Sequence, residues 1–387
     1  MVDSFDMREY LAPKRLTMAM WDMAYVLRHG AGGSYADYNR VLDETVERGY
    51  NTVRIDPMPQ WIDLQRPDKV LHWPDPHWPF MPWLWNTAVT GPIGAWIIDF
   101  MECLHRRPSL HYTMSGWWSG ADPTDHTPVP PLLRQPATLR EGAEMWMVLL
   151  TDWKRRFGFE RLLYVDIANE MPFFFPGLQE GLKKDTGADW GGAVLAPAAS
   201  EWIAKEINGA LGMLWREFPE LRFTVSTHGD LSWLDVPVEL DCLDVHFYAD
   251  ADPRWTQRTK FDEFQTVGSF FETDQTFGEL SQRSTLTAKS MAPMLRARQR
   301  GKLMQFADWS RRRGMPLTTS EGWAAWYYID HPQMDWKWLL EWAAWTVDDA
   351  IAAKMWGWTP HNYVQPQFAT WRDPAWHRRL NDRFLSS

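Results

Sequence analysis

Cysteine is nearly missing from this chain. Two occur in 387 residues, Cys103 in a helix-like stretch and Cys242 in a strand-like one, so a disulfide framework and a cysteine metal site are excluded and buried free thiols remain. No apolar run approaches the roughly 18 residues that a membrane-spanning helix requires. Residues 1–9 carry acids early and lack an apolar core, so no secretory signal is visible and the cytoplasm is the expected compartment. Basic charge is the minority: 40 Lys and Arg stand against 50 Asp and Glu, a net charge of −10 that repels a phosphate backbone. With no basic tract, neither nucleic acid nor a membrane surface is an expected partner. A neutral ligand fits best, with no cofactor and no metal called for. Internal repeats and interdomain linkers are also missing, which points to one domain over 1–387.

Strand-like and helix-like runs alternate along the whole chain, the pattern of a parallel sheet with crossover helices. Eight strands are expected, at 16–21, 52–56, 110–115, 162–168, 222–227, 242–247, 316–320 and 353–358. Eight closes a (β/α)8 barrel, and barrels with insertions run from about 200 to over 400 residues as one domain. Helical stripes fall between them. Tyr38, Val41, Leu42 and Val46 share one face, opened by Ser34 and Asp37 and stopped by Gly49. Thr138 and Glu141 form a capping box ahead of Ala143, Trp146, Met147, Leu150 and Trp153. Ile203, Ile207, Ala210, Leu211 and Leu214 repeat the pattern, Trp338, Leu339, Trp342, Ala343 and Thr346 give a late helix, and Asp373-Pro374 opens the last one.

Irregular insertions at about 57–90, 116–137, 171–197 and 249–287 all follow strands, which in a barrel places them on the catalytic face. The first holds Trp61, Trp73, Trp78, Trp83 and Trp85; the second holds Trp117, Trp118, Pro123, Pro128, Pro130, Pro131 and Pro136. Tryptophan is what this chain has in excess, 27 in all. An indole face packs against the C–H face of a sugar ring, so carbohydrate is the expected ligand class. Trp146, Trp153, Trp215 and Trp342 sit at helix-stripe spacing and read as core. Trp21, Trp117, Trp118, Trp323, Trp326 and Trp358 lie at or just beyond strand ends and read as sugar contacts.

Two glutamates also end strands. Glu170 follows 162–168 after Asn169, and Glu321 follows 316–320. Glycoside hydrolysis needs such a pair, one carboxylic acid to protonate the leaving oxygen and one carboxylate across the bond.

The run Ala168-Asn169-Glu170 resembles the strand-four motif of the clan A glycoside hydrolases, which include the family 5 cellulases and many β-galactosidases. Thr319-Ser320-Glu321-Gly322-Trp323 is similar to the strand-seven segment of that clan that bears the nucleophile. The resemblance implies that Glu321 is the nucleophile and Glu170 the acid/base of a retaining reaction. Gly49-Tyr50-Asn51-Thr52-Val53-Arg54-Ile55 looks like the family 5 strand whose arginine holds the nucleophile, a role that falls to Arg54. Leu243-Asp244-Val245-His246-Phe247-Tyr248 is similar to the His-x-Tyr motif, so His246 lines the site and Tyr248 touches the nucleophile. Trp356-Gly357-Trp358-Thr359 looks like the segment that floors the sugar subsite, with Trp358 first and Trp356 second. Family 5 usually ends strand three on histidine; here that end reads Met114-Ser115-Gly116-Trp117, as a divergent cellulase-like branch would.

On these roles Arg54 and Tyr248 should lower the pKa of Glu321, and Glu170, drier and beside another carboxylate, should be raised and protonated. Asn169 should donate to the sugar 2-hydroxyl. His228 and Asp230 after strand five, Asp22 after strand one and Asp56 after strand two are further candidates for substrate contact. Asp166 and Asp244 read as partners inside the barrel or toward its helices, and Lys354 as a structural residue of strand eight. Exo action on short β-glycosides follows from stiff loops around the mouth. Two other readings stay open: a metal-dependent barrel hydrolase or isomerase using His228, Asp230, Asp244 and His246, and a sugar-binding barrel without activity.

Overall fold

A computed structural model describes residues 13–73, 89–118, 136–172, 175–189, 197–261 and 274–387. The expectations for Trp78, Trp83, Trp85, Pro123, Pro128, Pro130, Pro131 and the Trp73 side chain lie outside the described residues.

Eight parallel staves form a ring. They are β1 (Leu16–Asp22), β2 (Thr52–Ile55), β3 (His111–Ser115), β4 (Leu162–Asp166), β5 (Phe223–Thr224, continued by Thr227–His228), β6 (Leu243–Tyr248), β7 (Leu317–Thr318, continued by Gly322–Trp323) and β8 (Gly357–Trp358). Each pairs with its neighbour in sequence, as in Met20 opposite Arg54, Arg54 opposite Thr113, Val165 opposite Phe223 and Thr227 opposite Val245. β8 pairs with β1 through Leu16 and Gly357. The remaining gap is closed by backbone bonds from Trp356 N to Leu317 O at 2.7 Å and from Thr319 N to Gly357 O at 3.2 Å. The fold is a (β/α)8 barrel.

Helices fill the crossovers: α1 (Tyr38–Glu47), α2 (Ile93–His105), α3 (Leu139–Phe157), α4 (Pro176–Thr186), α5 (Pro197–Glu217), α6 (Pro253–Thr259), α7 (Asp274–Arg313), α8 (Lys337–Ala352) and α9 (Pro374–Leu385). Local chemistry sets their starts. Asp37 accepts from Arg40 N at the head of α1, and Asp373 accepts from Trp376 N ahead of Pro374. Thr138 accepts from Glu141 N, while the Glu141 carboxylate accepts from Ala137 N. Gly49 ends α1 with φ +80°, a conformation that costs glycine nothing.

Three expectations change. The stretches 57–90, 171–197 and 249–287 are less irregular than they read: the first holds an antiparallel pair of Leu71–Trp73 with Val89–Gly91, the second contains α4, and the third contains α6 and the start of the 40-residue α7. The eighth stave is also shorter, because α8 runs to Ala352 and turns at Ala353 and Lys354 before Gly357. Lys354 is therefore an exposed turn residue with φ 56°, outside any strand.

The inside of the barrel changes character along its axis. Leu16, Met18, Tyr164 and Cys242 form a small apolar cluster with Trp356 against it. Above it Arg54, Ser115, Asp166, Asp244 and His246 are all buried and polar. Buried charge of this density has to be paired, and the pairing carries the site.

Candidate active site

Arg54, on β2, is the hub. Its guanidinium lies 2.5 Å from Glu321 Oε1, 2.6 Å from Asn169 Oδ1, 3.0 Å from Ser115 Oγ and 3.5 Å from Asp22 Oδ1. Only 1% of Arg54 is exposed, so these contacts work at low dielectric. The second oxygen of Glu321 accepts from the Tyr248 hydroxyl at 2.6 Å, and Asn362 Nδ2 donates to that hydroxyl at 2.8 Å. Burial, then Glu321 and Glu170, push the Tyr248 phenol well above its ordinary range, which keeps its proton available for donation.

Glu170, at the end of β4, is held differently. Its backbone has φ 48°, and Glu170 N donates to Ser226 Oγ at 2.8 Å. Its carboxylate sits between two imidazoles, with His246 Nδ1 2.9 Å from Oε1 and His228 Nε2 2.8 Å from Oε2. Burial drives Glu170 upward, but His228 and His246 together outweigh it and hold the carboxyl below its usual range. His246 answers in the opposite sense: burial lowers it, yet Glu321, Glu170 and Asp244 raise it to about 9. The raised Glu170 expected from the sequence is thus not what the substrate-free site shows, because two imidazoles supply more stabilisation of the anion than burial removes.

Supporting residues fix this geometry. Ser115 accepts from Arg54 and donates to Asp166 Oδ2 at 2.8 Å, so a serine bridges β2 to β4 where family 5 usually has histidine. Asp244 accepts from Ser320 N at 2.9 Å, Ser320 Oγ at 2.7 Å and Tyr164 at 2.9 Å, tying β6 to the residue before Glu321. Asn362 Oδ1 accepts from Gly322 N at 2.8 Å. Ser115, Ser226, Ser320 and Asn362 were not legible as site residues; of the four only Ser320, next to Glu321, adjoins a strand-end acid.

One ligating atom each from Glu170, His246 and Glu321 all lie within 4.8 Å of one another. Among the described residues, no three of His228, Asp230, Asp244 and His246 bring ligating atoms together. Asp230 instead caps a short 3-10 turn by accepting from Ser232 N, and Asp56 braces a loop by accepting from Met58 N and Trp117 N.

The tryptophans are the main correction. Strand side chains alternate, and at β8 the inward position belongs to Gly357, where an added Cβ would meet Thr318 Oγ1 at 2.2 Å. Trp358 consequently faces the helices, packed on Phe384 with its indole N–H toward Thr346. Trp356 lies at the opposite end of the barrel, its N–H on Pro13 O and its ring near Tyr164. Trp21 packs on Tyr35 and Phe100 and donates to Val364 O, and Trp323 stacks on Phe247 and donates to Thr359 O. Trp118 and Trp146 both donate to Ile167 O, bracing the turn that carries Asn169 and Glu170. Trp117 is buried, and Trp326 is half-buried against Phe261. Apart from Trp356 and the half-buried Trp326, these indoles are buried in the packing behind the strand ends.

A parallel barrel with two buried acids at the ends of β4 and β7, and an arginine and a tyrosine on the second, is the arrangement that the resemblance to clan A glycoside hydrolases implies. Residues 18–385 match the sugar-binding cellulase-like family, and the chain belongs to it. A solved putative glycoside hydrolase from Parabacteroides distasonis is 22% identical, with 96% of this chain and 94% of that one covered at a TM-score of 0.77. A family 5 hydrolase of subfamily 18 from Streptomyces cattleya, solved with GlcNAc, is 13% identical over 96% and 80% at a TM-score of 0.47. An endocellulase from Pyrococcus horikoshii is 13% identical over 96% and 93%, also at 0.47. No curated protein matches the sequence. Among the described residues, no helix is long and apolar enough to cross a membrane.

Proposed function

We propose that the chain is a single catalytic barrel that hydrolyses a β-glycoside with retention, Glu321 acting as nucleophile and Glu170 as acid/base. The observation that carries this reading is the approach of the two acids within 4.8 Å in unlike surroundings. Retaining enzymes hold their carboxyl groups about 5–5.5 Å apart, whereas inverting ones leave about 6.5–9.5 Å for a water. Arg54 and Tyr248 orient the two oxygens of Glu321, which attacks the anomeric carbon as the bond to the leaving oxygen breaks. Asn169 Nδ2 is buried without a hydrogen-bond partner among the described residues and donates to the sugar 2-hydroxyl.

In the substrate-free protein the proton of the Glu170–His246 pair sits on His246. A leaving oxygen beside Glu170 Oε2 displaces His228, which removes one of the two contacts holding Glu170 low and lets the carboxyl carry the proton to the departing group. The same carboxylate then takes a proton from the attacking water and Glu321 is released. Buried loop residues around the mouth, Trp61, Trp117 and Trp118 among them, support exo action on short glycosides.

A panel of aryl β- and α-glycosides tests the reading, with the first-formed product anomer read by NMR. Retention of configuration is expected; an inverted product overturns the assignment. The low-lying Glu170 favours one competitor, a sugar-binding barrel without turnover, and hydrolysis of any aryl glycoside eliminates it.

A further inference from the structure

Asp22 has no part in the mechanism above, yet its setting is costly. β1 and β2 lose register between Met20 and Asp22, and Asp22 has φ 43°, in the left-handed region that few non-glycine residues adopt. Bulges and strained residues of this kind re-aim side chains at functional sites. Here the result is a carboxylate 1% exposed, with neither oxygen accepting a hydrogen bond among the described residues. Among the described residues its one ion-pair contact, Arg54 Nη1 at 3.5 Å, is already engaged by Glu321 at 2.5 Å.

We infer that Asp22 is a substrate-binding residue whose two oxygens accept hydrogen bonds from two ring hydroxyls of the glycone, making the substrate a neutral pyranoside with free hydroxyls beyond the 2-position. This rests on the glycosidase reading. Arg54 organises the division: one nitrogen faces Asn169, the partner of the 2-hydroxyl, and the other faces Glu321 and Asp22. A neutral hydroxyl donor suits the site better than a cationic sugar amine would, because Arg54 and His246 already supply positive charge. Burial raises Asp22 to about 7 against the pull of Arg54, with Glu321, His246, Glu170, Asp56 and Tyr35 also facing it. Hydroxyl donors favour the ionised form, so binding is coupled to proton release.

The test compares wild type, Asp22→Asn and Asp22→Ser on the best aryl glycoside and its 3-, 4- and 6-deoxy analogues. In wild type, removing a hydroxyl that Asp22 accepts lowers kcat/KM about 10- to 100-fold. In both variants that discrimination collapses to about threefold or less, a pattern that general loosening of the fold does not produce. Equal kcat/KM of wild type on all the analogues overturns the inference without any variant, and so does undiminished discrimination in either variant. If wild type hydrolyses no glycoside, the catalytic reading has failed; calorimetric titration of wild type and Asp22→Asn with the matching methyl glycosides still tests Asp22. There, loss of hydroxyl discrimination supports the inference and unchanged discrimination overturns it.

Discussion

The β7 and β4 sides of the site hold the same functional group in opposite ways. Glu321 is gripped by a guanidinium that never loses its charge and by a phenol far from its titration range. Glu170 is gripped by two imidazoles, and histidine, unlike arginine, is a side chain able to give up its proton. A permanent cation suits a carboxylate that must stay ionised and aimed. A titratable neighbour suits one that must give a proton and later take one back. On the proposed reading, the difference between the two sets of neighbours divides the roles, since the carboxylates themselves are identical.

Breaking the permanent cation should do the most damage. Arg54→Met leaves Glu321 and Asp22 buried without their counter-ion, and the loss should be about 3–5 kcal/mol of stability in a urea titration. On the other side, Glu170→Gln should leave the fold intact and lower kcat roughly 10²- to 10⁴-fold. That loss should be greatest for alkyl leaving groups and smallest for dinitrophenyl ones; an equal loss for both would break the comparison.

The titratable side should show itself in stability against pH. His246 lies at about 9 in the folded protein, above its ordinary value of about 6.5. Its contribution is thus fully present below pH 6.5 and fades as pH rises through about 9, a change of roughly 3 kcal/mol. The stability gap between wild type and His246→Gln should narrow over that window in denaturant titrations, and a constant gap would show that His246 is not charged in the native state. The smallest effect is expected from Tyr248→Phe, which removes one hydrogen bond to Glu321 and should lower kcat about 10- to 100-fold with little change in melting temperature.

Much of this was legible because barrel chemistry lies at strand ends and strand ends are marked in the sequence. The order of the eight staves could be read from apolar runs, which also put Glu170 and Glu321 at strand ends, whereas the convergence of Arg54, Asn169, His246 and Tyr248 on them was implied by the resemblance to clan A glycoside hydrolases. The tryptophans could not be sorted, because an indole at a strand end looks the same whether it faces sugar or helix. At β8 the deciding residue was Gly357, whose missing side chain makes room for Thr318 and Met18 and turns Trp358 outward. α7 was missed because Arg, Gln, Ser and Thr interrupt its apolar stripe. Charge states were least legible: the position of Glu170 depends on His228 and His246, which lie 58 and 76 residues away and meet it only in the folded barrel.

Azide rescue of the two alanine variants tests the division of roles most directly. With an activated aryl glycoside, Glu321→Ala should yield a glycosyl azide of configuration opposite to the substrate, because azide enters the space left by the nucleophile. Glu170→Ala should yield one of the same configuration, because azide attacks a glycosyl–enzyme intermediate that lacks its base. The reverse assignment of the two products, or no azide adduct from Glu321→Ala, would contradict the account.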